Sequence, residues 1–138
     1  MSKQQGFSLI EIMVVVVIMG ILAALIVPNI MDRPNQAREV KAKQDILSIE
    51  NALELYRLDN GFYPSSEQGL QSLVKQPDSE PTPSNWRQYL KSLPKDPWSH
   101  PYHYDNPGQH GEIDIYTEGS SGKDHKVIGN WSTNEQTD

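Results

Sequence analysis

The 138-residue chain contains no cysteine. That excludes a disulfide framework and thiolate chemistry, so a domain outside the cytoplasm must be held by packing, by a metal or by assembly. Phenylalanine is almost missing too, with two residues against six tyrosines and three tryptophans. Trp86, Trp98 and Trp131 are therefore expected to pack the domain rather than to line a binding site. Positive charge is scarce: 12 Lys and Arg against 18 Asp and Glu leave a net charge of -6. No basic stripe appears after Lys43, which disfavours a nucleic-acid interface and an enzyme acting on anions.

What the chain does have is a long hydrocarbon run at residues 7–30, FSLIEIMVVVVIMGILAALIVPNI, whose one charge is Glu11. In lipid, backbone polar groups must pair internally, and helix is the local way to do so. At about 1.5 Å per residue, Phe7 to Ile30 reaches roughly 36 Å, enough to cross a hydrocarbon layer of about 30 Å. A cleaved secretory signal fits poorly, because Pro28-Asn29-Ile30 is not a small-residue cleavage site. The sequence thus predicts a retained anchor, leaving roughly a hundred residues for one small domain. Arg33, Arg38, Lys41 and Lys43 follow the anchor, whereas Lys3 and the amino terminus precede it. Counted by the positive-inside rule, these would place the C-terminal side in the cytoplasm.

A carboxylate at the edge of hydrocarbon is costly unless paired. Glu11 lies about one helical turn after Phe7, and the composite Gly6-Phe7-Ser8-Leu9-Ile10-Glu11 precedes the long apolar helix. Here the chain resembles the type IV pilins and type II secretion pseudopilins. The resemblance implies cleavage after Gly6 by a prepilin peptidase and methylation of the new terminus at Phe7. It also implies that Glu11 meets the N-terminal amine of a neighbouring subunit; the residues alone allow equally a headgroup-level glutamate or one serving its own helix N-terminus.

After the anchor, Ile46, Ile49, Ala52, Leu53 and Tyr56 form one helical stripe, with Lys43, Glu50, Glu54 and Arg57 opposite. Asp45 interrupts the stripe, and Val40, Leu47 and Leu58 lie off it. Asp59-Asn60-Gly61 is expected to close this helix. Ser65 and Gln68 have capping-box spacing for a short second helix through Leu70, Leu73 and Val74. Residues 76–85, QPDSEPTPSN, read as a polar loop. Strands are expected around Tyr102 to Tyr104, from Glu112 to Thr117, where Ile113, Ile115 and Thr117 alternate with polar positions, and briefly at Lys126-Val127-Ile128.

The segments Tyr63 to Leu70, Asp96-Pro97-Trp98, Gly111 to Ile115 and Ile128-Gly129-Asn130-Trp131 resemble the major pseudopilins of type II secretion. Their implied fold is α+β and type IV pilin-like, a long N-terminal helix whose first half spans the membrane, packed on a small C-terminal sheet. The implied organisation is a leader at 1–6, a transmembrane and assembly helix at 7–34, and a periplasmic domain at 35–138 anchored in the inner membrane. Against the charge count above, the resemblance places the domain in the periplasm. The implied function is a structural subunit, not an enzyme, that polymerises into the pseudopilus and supports export of folded proteins. Its implied partners are copies of itself, minor pseudopilins, the prepilin peptidase, the inner-membrane assembly platform, the outer-membrane secretion channel and the secreted cargo. The rival readings are a type IV pilin or competence pseudopilin, and a monomeric membrane-anchored binding module.

The resemblance also implies a calcium loop before Ile128-Gly129-Asn130-Trp131, and there the chain departs. Acidic positions of the family pattern are occupied by Ser121 and Val127. Losing two carboxylates removes most of the attraction unless Glu118, Ser121 and Asp124 replace them, so no cofactor is assigned. His100, His103, His110 and His125 lack a metal-binding spacing, and Asp96 and Asp114 have no sequence reason to be catalytic.

Overall fold

The computed structural model describes residues 6–31, 33–120 and 125–132. The chain divides into two units, Met1–Ala37 and Arg38–Asp138.

In the first unit, helix α1 spans Leu9–Met31. Ser8 caps it: the Glu11 backbone N–H donates to Ser8 Oγ at 3.3 Å, and Ile12 N–H reaches the Ser8 carbonyl at 3.3 Å. Pro28 lies inside this helix rather than ending it. Among the described residues no helix is long and apolar enough to cross a membrane. The described side chains of α1 stop at Leu25, and the case for a span rests on the sequence from Phe7 to Ile30.

Helix α2 spans Arg33–Asn60. Pro34 is its second residue, where a missing N–H costs no intrahelical bond. The helix stops at Asn60 because Gly61 turns to φ 87°, the left-handed conformation that glycine tolerates. Within the second unit, Ala42, Ile46, Ile49, Ala52, Leu53 and Tyr56 on α2 are all buried, so the expected stripe is the core face. Each fully buried Leu or Ile contributes about 1.5–3 kcal/mol. Asp45 stays beside this face because its carboxylate accepts the Tyr102 hydroxyl at 2.7 Å and the Lys41 ammonium at 2.6 Å. Val40, Leu47 and Leu58, off the stripe, are exposed.

Strands β1 (His103–Asp105), β2 (Asp114–Thr117) and β3 (Ile128–Gly129) form an antiparallel sheet in the order β1-β2-β3. Tyr104 pairs with Ile115, and Thr117 with Ile128. Tyr102, Tyr104, Ile113, Ile115 and Ile128 join the α2 stripe in one core, with Leu70 and Leu73 alongside. Trp86 and Trp98 pack partly buried against it. The α+β architecture is thus the expected one.

Three details differ from the sequence reading. Ser65 and Gln68 do form a capping box, with reciprocal bonds of 3.0 and 3.1 Å. The only helix that follows is one 3-10 turn, Leu70–Leu73, because Gly69 at φ 63° breaks the backbone between box and turn. The last strand lies at Ile128–Gly129, one to two residues later than expected, because Tyr116 pairs with Gly129. Trp131 lies outside the core cluster and stacks on His110 instead, with ring centroids 3.7 Å apart.

Candidate functional site: the assembly helix and the hairpin clamp

Two places on the chain concentrate functional residues, one in each unit. The first is the start of α1. Gly6 and Glu11 are exposed, and Phe7 is 80 % exposed. Glu11 sits in the first turn of the helix. Ser8, not Glu11, satisfies the orphan N–H groups there, so the capping role left open for Glu11 is filled by its neighbour. No side-chain bond of Glu11 is recorded among the described residues. Large apolar side chains from Leu9 to Leu25 are between 47 % and 78 % exposed. Such an apolar rod is unstable in water and demands lipid or other helices. The chemistry of this site is therefore association, with one carboxylate to specify how the rods align.

The second place surrounds β2 and β3, where two aspartates unremarkable in the sequence prove to be the fastenings. The Asp96 side chain is buried and accepts the backbone N–H of Trp98 at 3.1 Å and of His100 at 2.7 Å. Its other oxygen accepts the Thr117 hydroxyl in a short hydrogen bond. Asp96 thereby ties the Asp-Pro-Trp turn to the end of β2. Asp114 faces away from the core yet is also buried, because the segment from Gly108 to Gly111 folds over it. It accepts N–H groups from Gln109 at 2.9 Å and His110 at 3.2 Å, and pairs with His110 Nδ1 at 3.0 Å. A Cβ at Gly108 would sit 2.6 Å from an Asp114 oxygen, which is why glycine is needed there. The signal for both anchors was a strand-end or turn aspartate followed within four residues by backbone N–H groups, a pattern too common to single out.

Burial alone would raise the Asp114 pKa; the His110 side chain and the N–H groups of Gln109 and His110 outweigh it, leaving the carboxyl below its ordinary 3.8. A depressed folded pKa stabilises the fold above the unfolded value and loses that stabilisation as pH falls through the folded one. Thermal melts should therefore show acid destabilisation beginning below about pH 4. Asp114→Asn should flatten this dependence; an identical acid limb in native and variant proteins would refute the assignment.

Asn130 completes the clamp. Its side chain donates to the Ile113 carbonyl at 3.0 Å and accepts Ile115 N–H at 3.2 Å, while its own N–H reaches the Ile115 carbonyl at 2.9 Å. Trp131 then folds over Gly129, where any Cβ would collide with the indole. The Ile-Gly-Asn-Trp sequence is thus a structural latch.

For calcium, the donors do not fit. The β2–β3 register continues past Thr117 and Ile128, setting Glu118 opposite Val127 and Gly119 opposite Lys126. Glu118 and Val127 are both exposed, while the buried Thr117 hydroxyl is taken by Asp96. Ser121 and Asp124 lie outside the described residues. A cation needing six to eight oxygens meets here one described carboxylate beside an apolar valine. Of the histidines, His103 stacks on Tyr116 at 5.0 Å and His110 binds Asp114, while His100 and His125 are exposed.

Residues 29–131 match the family model described as type II secretion system protein G, and residues 1–27 match a prokaryotic N-terminal methylation motif. The type II secretion system core protein G of Pseudomonas aeruginosa is 54 % identical, over 94 % of this chain and 96 % of its own length. The Vibrio cholerae core protein G is 48 % identical over 96 % of this chain and 94 % of its own. The crystal structure of the major pseudopilin from the type 2 secretion system of enterohaemorrhagic Escherichia coli aligns with a TM-score of 0.70 and 40 % identity, covering 78 % of this chain and 94 % of that one. The apolar helix with its N-terminal motif and the latched α+β domain thus meet in one known lineage, and the chain belongs to the type II secretion system protein G family.

Proposed function

We propose that this chain is the subunit of a type II secretion pseudopilus, a helical polymer of itself that supports export of folded proteins across the outer membrane. The carrying observation is the α1 rod, apolar and exposed on every described side, with a lone carboxylate in its first turn. In a membrane, that surface meets lipid; in a polymer, it meets other copies of the same rod, and close packing replaces lipid contact. The match to protein G over residues 29–131 favours this reading over a type IV pilin, and over a solitary anchored module.

In this reading residues 1–6 are a leader removed by the prepilin peptidase between Gly6 and Phe7, and Phe7 is N-methylated. Residues 7–34 hold the subunit in the inner membrane until assembly, and residues 35–138 form the domain in the periplasm. Minor pseudopilins, the assembly platform and the outer-membrane secretion channel are its proposed partners, and secreted protein is the cargo. The work is mechanical, with no covalent step on the cargo.

Mass spectrometry of the protein purified from its native envelope tests the first step. The expected terminus is Phe7 carrying one added methyl group. A terminus still at Met1 would sink the processing scheme, and with it the free amine that Glu11 is proposed to meet.

A further inference from the structure

The connection between β2 and β3 is closed differently from a metal-bound loop. Register places Gly119 opposite Lys126, and the two backbones touch: Gly119 has φ 74°, and any Cβ there would collide with the Lys126 carbonyl. Gly119 N–H also donates to Thr117 Oγ1 at 3.2 Å, and Thr117 is held by Asp96. The hairpin is therefore pinched at Gly119 and Lys126. Side chains alternate at this neck. Thr117 and Ile128 are buried on the helix-facing side, while Glu118 and Val127 are exposed on the other. Lys126, two residues before Ile128, falls on the helix-facing side. Its ammonium reaches Glu39 on α2 at 3.4 Å.

We infer that Lys126 supplies from within the chain the positive charge that fastens the β2–β3 connection to α2, so that this connection holds its shape without a divalent cation. The two charged groups of the neck lie on opposite faces, Glu118 outward and Lys126 toward the helix. They do not converge as ligands, and the ammonium would repel a metal approaching from the helix side. The glutamate that meets Lys126 belongs to α2, so the pair joins residues 87 positions apart and bridges the hairpin to the helix.

Hydrogen exchange of the full chain in detergent, read by mass spectrometry over residues 117–129, tests this without reference to secretion. Lys126→Met keeps the methylene stem and removes the charge. It should speed exchange at the neck by roughly two- to fivefold, the range a solvent-exposed ion pair supplies. Glu39→Gln should match it, the double variant should go no further, and Lys126→Arg should restore native exchange. Millimolar calcium or a chelator should leave both exchange and melting temperature of the native chain unchanged. A calcium-dependent rise in melting temperature, or native exchange rates in Lys126→Met, would overturn the inference. Because every reading is taken on dispersed subunits, a failure here is separate from any failure to polymerise.

Discussion

Asp96→Ala should destabilise the globular unit by about 3–5 kcal/mol, since three buried or half-buried donors lose their acceptor at once. The donors are the N–H groups of Trp98 and His100 and the hydroxyl of Thr117. For a domain of this size, a melting temperature lower by on the order of 15 °C or more follows. Asp96→Asn separates shape from charge. Its remaining oxygen can accept both N–H groups, and the Thr117 hydroxyl can rotate to accept from the amide. The asparagine variant should therefore keep more than about half of the lost stability. Circular-dichroism melts of native, alanine and asparagine proteins make the comparison. An alanine variant melting within a few degrees of native would mean that water replaces the carboxylate, and Asp96 would lose its place as an anchor.

Glu11→Ala should leave membrane insertion intact and reduce ordered multimers by roughly tenfold or more, because a buried charge that loses its partner is strongly destabilising. The motivation is geometric as well as electrostatic. Glu11 is in the first turn of α1, Ser8 already serves the helix N-terminus, and no described side chain meets the carboxylate. Its partner is proposed to be the cationic amine created at Phe7 of another subunit. Crosslinking of processed subunits in membranes reads the result, with Glu11→Gln separating charge from shape. Native amounts of regularly spaced multimers in both variants would show that the rods align without this carboxylate.

Much of the second unit could be read before the coordinates. The i, i+3, i+4 spacing of Ile46, Ile49, Leu53 and Tyr56 is a local property, and the core confirms it. The end of α2 at Asn60 was equally local, set by Gly61. The misreadings share one cause, which is tertiary closure. Strand alternation puts Asp114 on the outward face, yet the Gly108 to Gly111 segment buries it there. Trp131 reads as a core group by composition, but Gly129 opens a seat for it beside His110. Capping chemistry at Ser65 and Gln68 was right, while Gly69 limited what it could start. At the N-terminus the roles of Gly6, Phe7 and Glu11 come from the motif itself, since their chemistry belongs to a cleaved and assembled state.

The shortage of phenylalanine has a mechanical outcome. The Tyr102 hydroxyl is bound to Asp45 and the Tyr104 hydroxyl to the Pro64 carbonyl, each at 2.7 Å. A core of plain hydrocarbon resists separation but tolerates sliding, because one greasy contact resembles the next. These two phenol tips act as keys in a shaft: they fix the sheet at one axial position and one rotation on α2. Thrust or torque applied along that helix is then handed to the domain without slip.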